Sequence, residues 1–194
     1  VYSKLPSSDT TYFEVEDNIG RVSISILFIF SPIFLPLSTS SSFQIVVLVI
    51  LDHTSKLFVL NNFEINQTQQ IFSILSFTFV KNYGIAFSFF NNESLNISFW
   101  ISILVFLICL ILFLHLFTSV FKEKFSGIEY FALSLILAGG TGNLSDRIIY
   151  GYVIDFIDIS FNPYIFNLAD SYVTIGILIY ICLLYTSPSP RDNL

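Results

Sequence analysis

The run ISFWISILVFLICLILFLHLF, from Ile97 to Phe117, decides the class of fold. A bilayer core is about 30 Å thick and an α-helix rises about 1.5 Å per residue, so about 20 apolar residues cross it. Three further segments meet that length: Phe43 to Leu60, which is the shortest, Ile128 to Tyr150, which polar residues interrupt late, and Ile165 to Tyr185. An earlier stretch, Val22 to Leu37, is apolar but short. Pro32 and Pro36 each remove a backbone donor from it, and it is read as non-spanning. The whole chain agrees with a membrane class: its 194 residues are 54% hydrophobic and 18% aromatic but only 11% charged, against roughly 25% charged in soluble domains. The aromatic content also excludes a disordered chain. A net charge of -6, with eight scattered Lys and Arg, leaves no basic stripe, so no nucleic acid partner is expected.

The expected fold is all-α: four transmembrane helices with a small extracytoplasmic β-sheet between helices 1 and 2. Positive charge marks cytoplasmic connections, which assigns Lys122 and Lys124, and Arg21 before the first span, to the inner side. The connection from Asn61 to Asn96 carries only Lys81 and faces outward, as does Gly151 to Tyr164. Within the longer one, the alternating stretches Phe77 to Val80 and Ala86 to Phe90 suggest short strands on the membrane surface. The chain has no Met and is read as a fragment. Residues 1–42 are an N-terminal extension, 43–186 the membrane domain, and 187–194 a Ser/Pro tail without structural weight. Cys109 and Cys182 sit in apolar runs without metal-ligand spacing and are read as packing residues.

Ionisable side chains inside spans cost about 2.5 to 3.5 kcal/mol on insertion scales, so each is a candidate functional residue. Asp52 and Lys56 stand at i, i+4 in the first span and read as an internal ion pair that lowers the insertion cost. The third span ends in GGTGNLSDR, residues 139–147, where small residues permit close helix approach and Asn143, Asp146 and Arg147 share a face. A second Asn-x-x-Asp face, Asn167 and Asp170, opens the fourth span on the same outer side. Between them lies Asp155, embedded among apolar residues just beyond the helix end. Counting from Ile128, Asp146, Asp155 and Asp170 fall near one depth.

His53 and His115 are the only histidines, so neither a zinc site nor a Ser/His triad assembles, and no metal or cofactor is expected. Two carboxylates a few ångströms apart share a proton, because both cannot ionise. The ionised member takes a proton from a water attacking a peptide carbonyl, while the protonated member protonates the tetrahedral oxygen. The low dielectric at the membrane edge favours that shared state.

Four blocks in order resemble bacterial lipoprotein signal peptidase, also called signal peptidase II. The first is Asp52-His53-Thr54-Ser55-Lys56, departing at His53 where the family has Gln. The second is Asn82-Tyr83-Gly84-Ile85-Ala86-Phe87-Ser88. The third runs from Gly142 to Phe156 and the fourth from Phe166 to Ser171. The resemblance implies a four-helix inner-membrane aspartyl endopeptidase, its active site near the outer face, that cuts a prolipoprotein just before a diacylglyceryl-modified cysteine. The implied catalytic pair is Asp155 and Asp170, with Asn82, Asn143, Arg147 and Asn167 shaping the substrate site. Gly84 and Ala86 are small enough to let the substrate backbone pass. Asp146 competes with Asp155, but Asn143 and Arg147 lie beside it as structural partners, so Asp52, Lys56 and Asp146 are assigned structural polar roles. The implied partners are the lipid-modified substrate and membrane lipids, and a monomer suffices.

Two other classes remain open. A small proton-coupled transporter would also carry intramembrane Asp, Lys and Arg, although no inverted repeat is evident. A non-catalytic assembly subunit would use the Gly-rich third helix only as a packing seam.

Overall fold

A computed structural model describes residues 39–84, 95–120 and 126–186. The chain divides into two units after Leu35, and every described residue belongs to the second. The elements run α1 (Thr39–Asn62), β1 (Thr68–Phe72), β2 (Leu75–Asn82), α2 (Leu95–Val120), α3 (Gly127–Tyr150), β3 (Val153–Ile159) and α4 (Leu168–Thr186). The expectations for the Val22 to Leu37 stretch, the Ala86 to Phe90 strand, Arg21, Lys122, Lys124 and the 187–194 tail lie outside the described residues.

Among the described residues three helices are long and apolar enough to cross a membrane: α1 over Phe43–Asn62, α2 over Ser98–Thr118, and α4. The fourth long helix, α3, does not meet that measure, and its place in the bundle explains why. It packs against α1, α2 and α4, most extensively α4, and its Ala, Gly, Ser and Thr residues are largely buried there. Exposed positions of α2 and α4 such as Phe99, Trp100, Ile111 and Leu184 are instead large and apolar. Helices in an apolar medium gain little from burying Leu against Leu, so close backbone approach through small side chains dominates their packing. Gly142 shows the constraint: a Cβ there would stand 2.6 Å from Asp52 Oδ2 on α1.

Both ends of α3 are capped. Ser126 and Glu129 form a reciprocal capping box. At the other end Gly151 adopts φ +79°, the left-handed turn that favours glycine, and its N–H donates to the Arg147 carbonyl. The chain reverses there into β3.

The sheet is antiparallel in the order β1-β2-β3. The sequence expectation placed the sheet between the first two helices, and β1 and β2 do lie there. Its third strand comes from the connection between α3 and α4, which the sequence presents only as an outer loop. Val153 to Ile159 is too short and too interrupted by Asp155 and Asp158 to read as a strand on its own, and pairing with β2 makes it one. Ile154 and Phe156 join Val59, Phe63 and Phe79 in an apolar cluster that fastens the sheet to the end of α1. Alternation along the strand leaves Asp155 on the opposite side. Cys109 is buried as expected, whereas Cys182 is exposed on the outer surface of α4, where lipid rather than protein would surround it.

Gly142→Ala is expected to lower the thermal midpoint in detergent, consistent with an overpacking cost of about 1–3 kcal/mol. Gly127→Ala, where a Cβ would meet nothing within 4 Å, leaves the midpoint unchanged. Equal midpoints for the two variants would contradict close packing at Gly142.

Candidate active site

Lys56 lies at the centre of the polar interior, with only 1% of its side chain exposed. Its ammonium contacts Asp52 Oδ2 at 2.8 Å, Asp146 Oδ2 at 2.9 Å and Asn143 Oδ1 at 3.0 Å, so each of its three protons has an acceptor. The i, i+4 pair expected within α1 is therefore present, but it is one side of a three-way link to α3. Asp52 Oδ1 also accepts the Ala169 N–H at 2.9 Å, tying α1 to the first turn of α4. Asp146 Oδ2 also accepts the Ile154 N–H at 3.2 Å, which holds β3 beside α3. Asp146 has partners other than the neighbouring Asn143 and Arg147 with which the sequence pairs it. Lys56 and the Ile154 backbone bind it, and the Arg147 guanidinium donates instead to the Asn143 and Gly84 carbonyls.

Asp155 and Asp170 meet on the other side of this link. Asp155 is completely buried and accepts at both oxygens, from Asn82 Nδ2 at 2.8 Å and from Asn167 Nδ2 at 2.7 Å. Asn82 reaches it because β2 and β3 pair with Val80 opposite Asp155, which puts Asn82 on the diagonal of the same face. Asn167 caps α4: its Oδ1 accepts the Asp170 N–H at 2.9 Å. Asp170 Oδ1 accepts from Asn143 Nδ2 at 2.8 Å, and Asn167 Nδ2 also approaches Asn143 Oδ1 at 3.1 Å. The two carboxylates are thus joined through two asparagine amides. Burial first, and then the charge of Asp170, push Asp155 up to about 8, while the Asn82 and Asn167 donors and the Lys56 charge work the other way. Asp170 Oδ2 is buried with no hydrogen-bond partner among the described residues.

Asp170 also lines a cavity of about 360 Å³ between α2, α3 and α4. Its walls are apolar, with Ile101, Val105, Ile108 and Leu112 from α2, and Asn143 and Arg147 supply its other polar groups with Asp170 and Thr174.

The family model for signal peptidase (SPase) II matches residues 44–186. The chain belongs to the signal peptidase II family. A lipoprotein signal peptidase from Buchnera aphidicola subsp. Acyrthosiphon pisum (strain 5A) is 38% identical over 146 residues, covering 74% of this chain and 89% of that protein. One from Streptococcus agalactiae serotype Ia is 34% identical over 155 residues, covering 76% and 93%. Two solved bacterial membrane enzymes, both determined by the in meso method, align with TM-scores of 0.64 and 0.62 at 28% and 27% identity. The first covers 76% of this chain and 88% of its own, the second 78% and 96%. The protein is accordingly a protease of a membrane family.

In this signal peptidase II member, Asp52, Lys56, Asn82, Asn143, Asp146, Arg147, Asp155, Asn167 and Asp170 form one connected network, with Gly84 at its edge through Arg147 and through its N–H to Asn82 Oδ1. Ala86 lies outside the described residues. Nothing in the residue pattern marks Ile154, whose N–H donates to Asp146 and whose carbonyl accepts from Asn167. Backbone groups carry no residue signature, and only the register of β3 reveals them.

The raised Asp155 value makes folding sensitive to pH. Between the ordinary carboxylate value of 3.8 and about 8, the folded protein holds a proton on Asp155 that the unfolded chain has lost. The contribution to stability is therefore complete below about pH 4 and falls away as pH rises through about 8. Asp155→Asn is expected to flatten that decline in thermal midpoints measured from pH 4 to 9. A slope identical to that of the parent would exclude it.

Proposed function

We propose that this protein is a lipoprotein signal peptidase. It is an aspartyl endopeptidase of the bacterial inner membrane that removes signal peptides from diacylglyceryl-modified prolipoproteins. On this reading residues 43–186 are the protease domain, and α3 crosses the bilayer as a fourth span, made tolerable by its burial among the other three. The active site lies near the outer face, where the sheet closes over the bundle. The observation that carries the proposal is the pair Asp155 and Asp170, two buried carboxyls joined by Asn143 and Asn167 at the polar end of an apolar cavity.

The chemistry follows from one shared proton. With Asp155 pushed up to about 8, the pair holds a single proton near neutral pH. The ionised carboxylate takes a proton from water as its oxygen attacks the scissile carbonyl carbon. The protonated partner donates to the carbonyl oxygen as the tetrahedral centre forms. Collapse re-forms the carbonyl, whose hydroxyl proton returns to the carboxylate that supplied it, and breaks the C–N bond, while the proton taken from water passes to the leaving amine. The cycle ends with one proton on the pair, so it needs water and no cofactor.

The other residues position the substrate. The signal helix enters from the lipid side along the α2, α3 and α4 cavity, which keeps its apolar side chains and the acyl chains out of water. Arg147 holds the segment after β2 through the Gly84 carbonyl, where the substrate backbone passes beside Gly84 and Ala86. Asn82, Asn143 and Asn167 fix the carboxyls against which the scissile bond lies. A single chain contains the whole arrangement.

Purified protein in detergent micelles is expected to cleave a diacylglyceryl-modified precursor and leave the unlipidated one intact. Asp155→Asn and Asp170→Asn should each reduce kcat by about 10²–10⁴-fold or more while the protein stays folded. Parent activity should fall as pH rises through about 8, where the shared proton is lost. Full cleavage by either Asn variant would end this assignment.

A further inference from the structure

We infer that Lys56 is a positioning residue for the reaction, fixing the amide of Asn143, and through it that of Asn167, so that both present N–H donors to the aspartate pair. This inference rests on the dyad reading above and assigns Lys56 a part beyond the structural ion pair with Asp52.

The argument is one of donors and acceptors. A lysine ammonium only donates, so the Asn143 atom 3.0 Å from Lys56 Nζ must be the oxygen. The amide then has one remaining orientation, with its NH2 toward Asp170 Oδ1 at 2.8 Å. The same Asn143 oxygen accepts from Asn167 Nδ2 at 3.1 Å, which turns the Asn167 NH2 toward Asp155 Oδ1 at 2.7 Å. An independent constraint agrees, because the Asp170 N–H also requires the Asn167 oxygen on its side. Without the ammonium, Asn143 can rotate by half a turn. Its oxygen would then face Asp170 Oδ1, acceptor against acceptor, and the pair would lose a donor it needs in its singly protonated state.

Lys56 hydrogen-bonds to neither carboxyl of the dyad; its three protons go to Asp52, Asp146 and Asn143. Its influence on the pair is therefore carried by Asn143 and by its charge. The charged or titratable groups that act on Asp155 are Asp170 from α4, Lys56 from α1 and Arg147 from α3, while Asn82 from β2 and Asn167 are neutral. Lys56 and Arg147 favour the ionised carboxylate and Asp170 opposes it. Removing Lys56 thus takes away a cation that helps Asp155 release its proton.

Lys56→Met tests this directly, and Lys56→Met/Asp146→Asn tests it with the buried charge rebalanced. The readouts are kcat, KM for the lipidated precursor, the pH profile of kcat, and the thermal midpoint in detergent. The expected result is a folded protein with KM within about twofold of the parent, kcat lowered by about 10²-fold, and the alkaline limb moved about one unit higher. A residue that merely holds α1 to α3 would lower the midpoint and the active fraction and leave the limb where it is. Parent kcat and an unmoved alkaline limb in either folded variant would overturn the inference. Asp155→Asn and Asp170→Asn, assayed alongside, separate the two failures. If they remain active the dyad is wrong, and if they are inactive while the Lys56 variants behave as the parent, only the role of Lys56 is wrong.

Discussion

The structure depends on taking one ammonium out of water. A lysine that is 1% exposed among apolar helices is tolerable only if every proton finds an acceptor, and Lys56 meets that condition by drawing on α1 and α3 together. Removing one partner from such a buried pair typically costs about 3–5 kcal/mol, which far exceeds a surface ion pair. The requirement fixes more than local geometry. Asp52 goes on to hold the first turn of α4, and Asp146 goes on to hold the start of β3. The elements that carry Asp155 and Asp170 are thereby set by a group that touches neither.

Packing and polarity reinforce each other along α3. Gly142 brings the helix close enough for Asp52 to lie against it, and Asn143 and Asp146, on the next positions of that region, then reach Lys56. A larger residue at 142 would separate the helices and leave the ammonium short of acceptors. The sheet adds a second restraint from the end of the bundle, because Phe79, Ile154 and Phe156 anchor it on Val59 of α1 and on Phe63 just beyond that helix. Asn82 reaches Asp155 across the diagonal as a consequence of that register.

Much of this was legible in the sequence for a physical reason. Apolar runs marked the long helices, α3 with polar interruptions, and their observed limits lie within a few residues of those read from hydropathy. Polar residues such as Asp52, Lys56, Asn143 and Asp170 stood out because an apolar medium penalises them. What was not legible depends on contacts between distant segments. Asp155 had no partner near it in sequence because Asn82 lies 73 residues away. Asp146 was matched with its neighbours Asn143 and Arg147, whereas its true counter-ion is on another helix. Strand β3 was missed because pairing, rather than its own pattern, creates it.

The composition of α3 has a consequence for how such a protein is made. With four Gly, and with Asn143, Asp146 and Arg147 toward its end, α3 is less apolar than α2 or α4. Its widest contact is with α4, which is synthesised after it, while the ammonium that neutralises Asp146 comes from α1, synthesised before. Its burial is therefore complete only once α4 has arrived, and a chain cut short of α4 would leave α3 half covered.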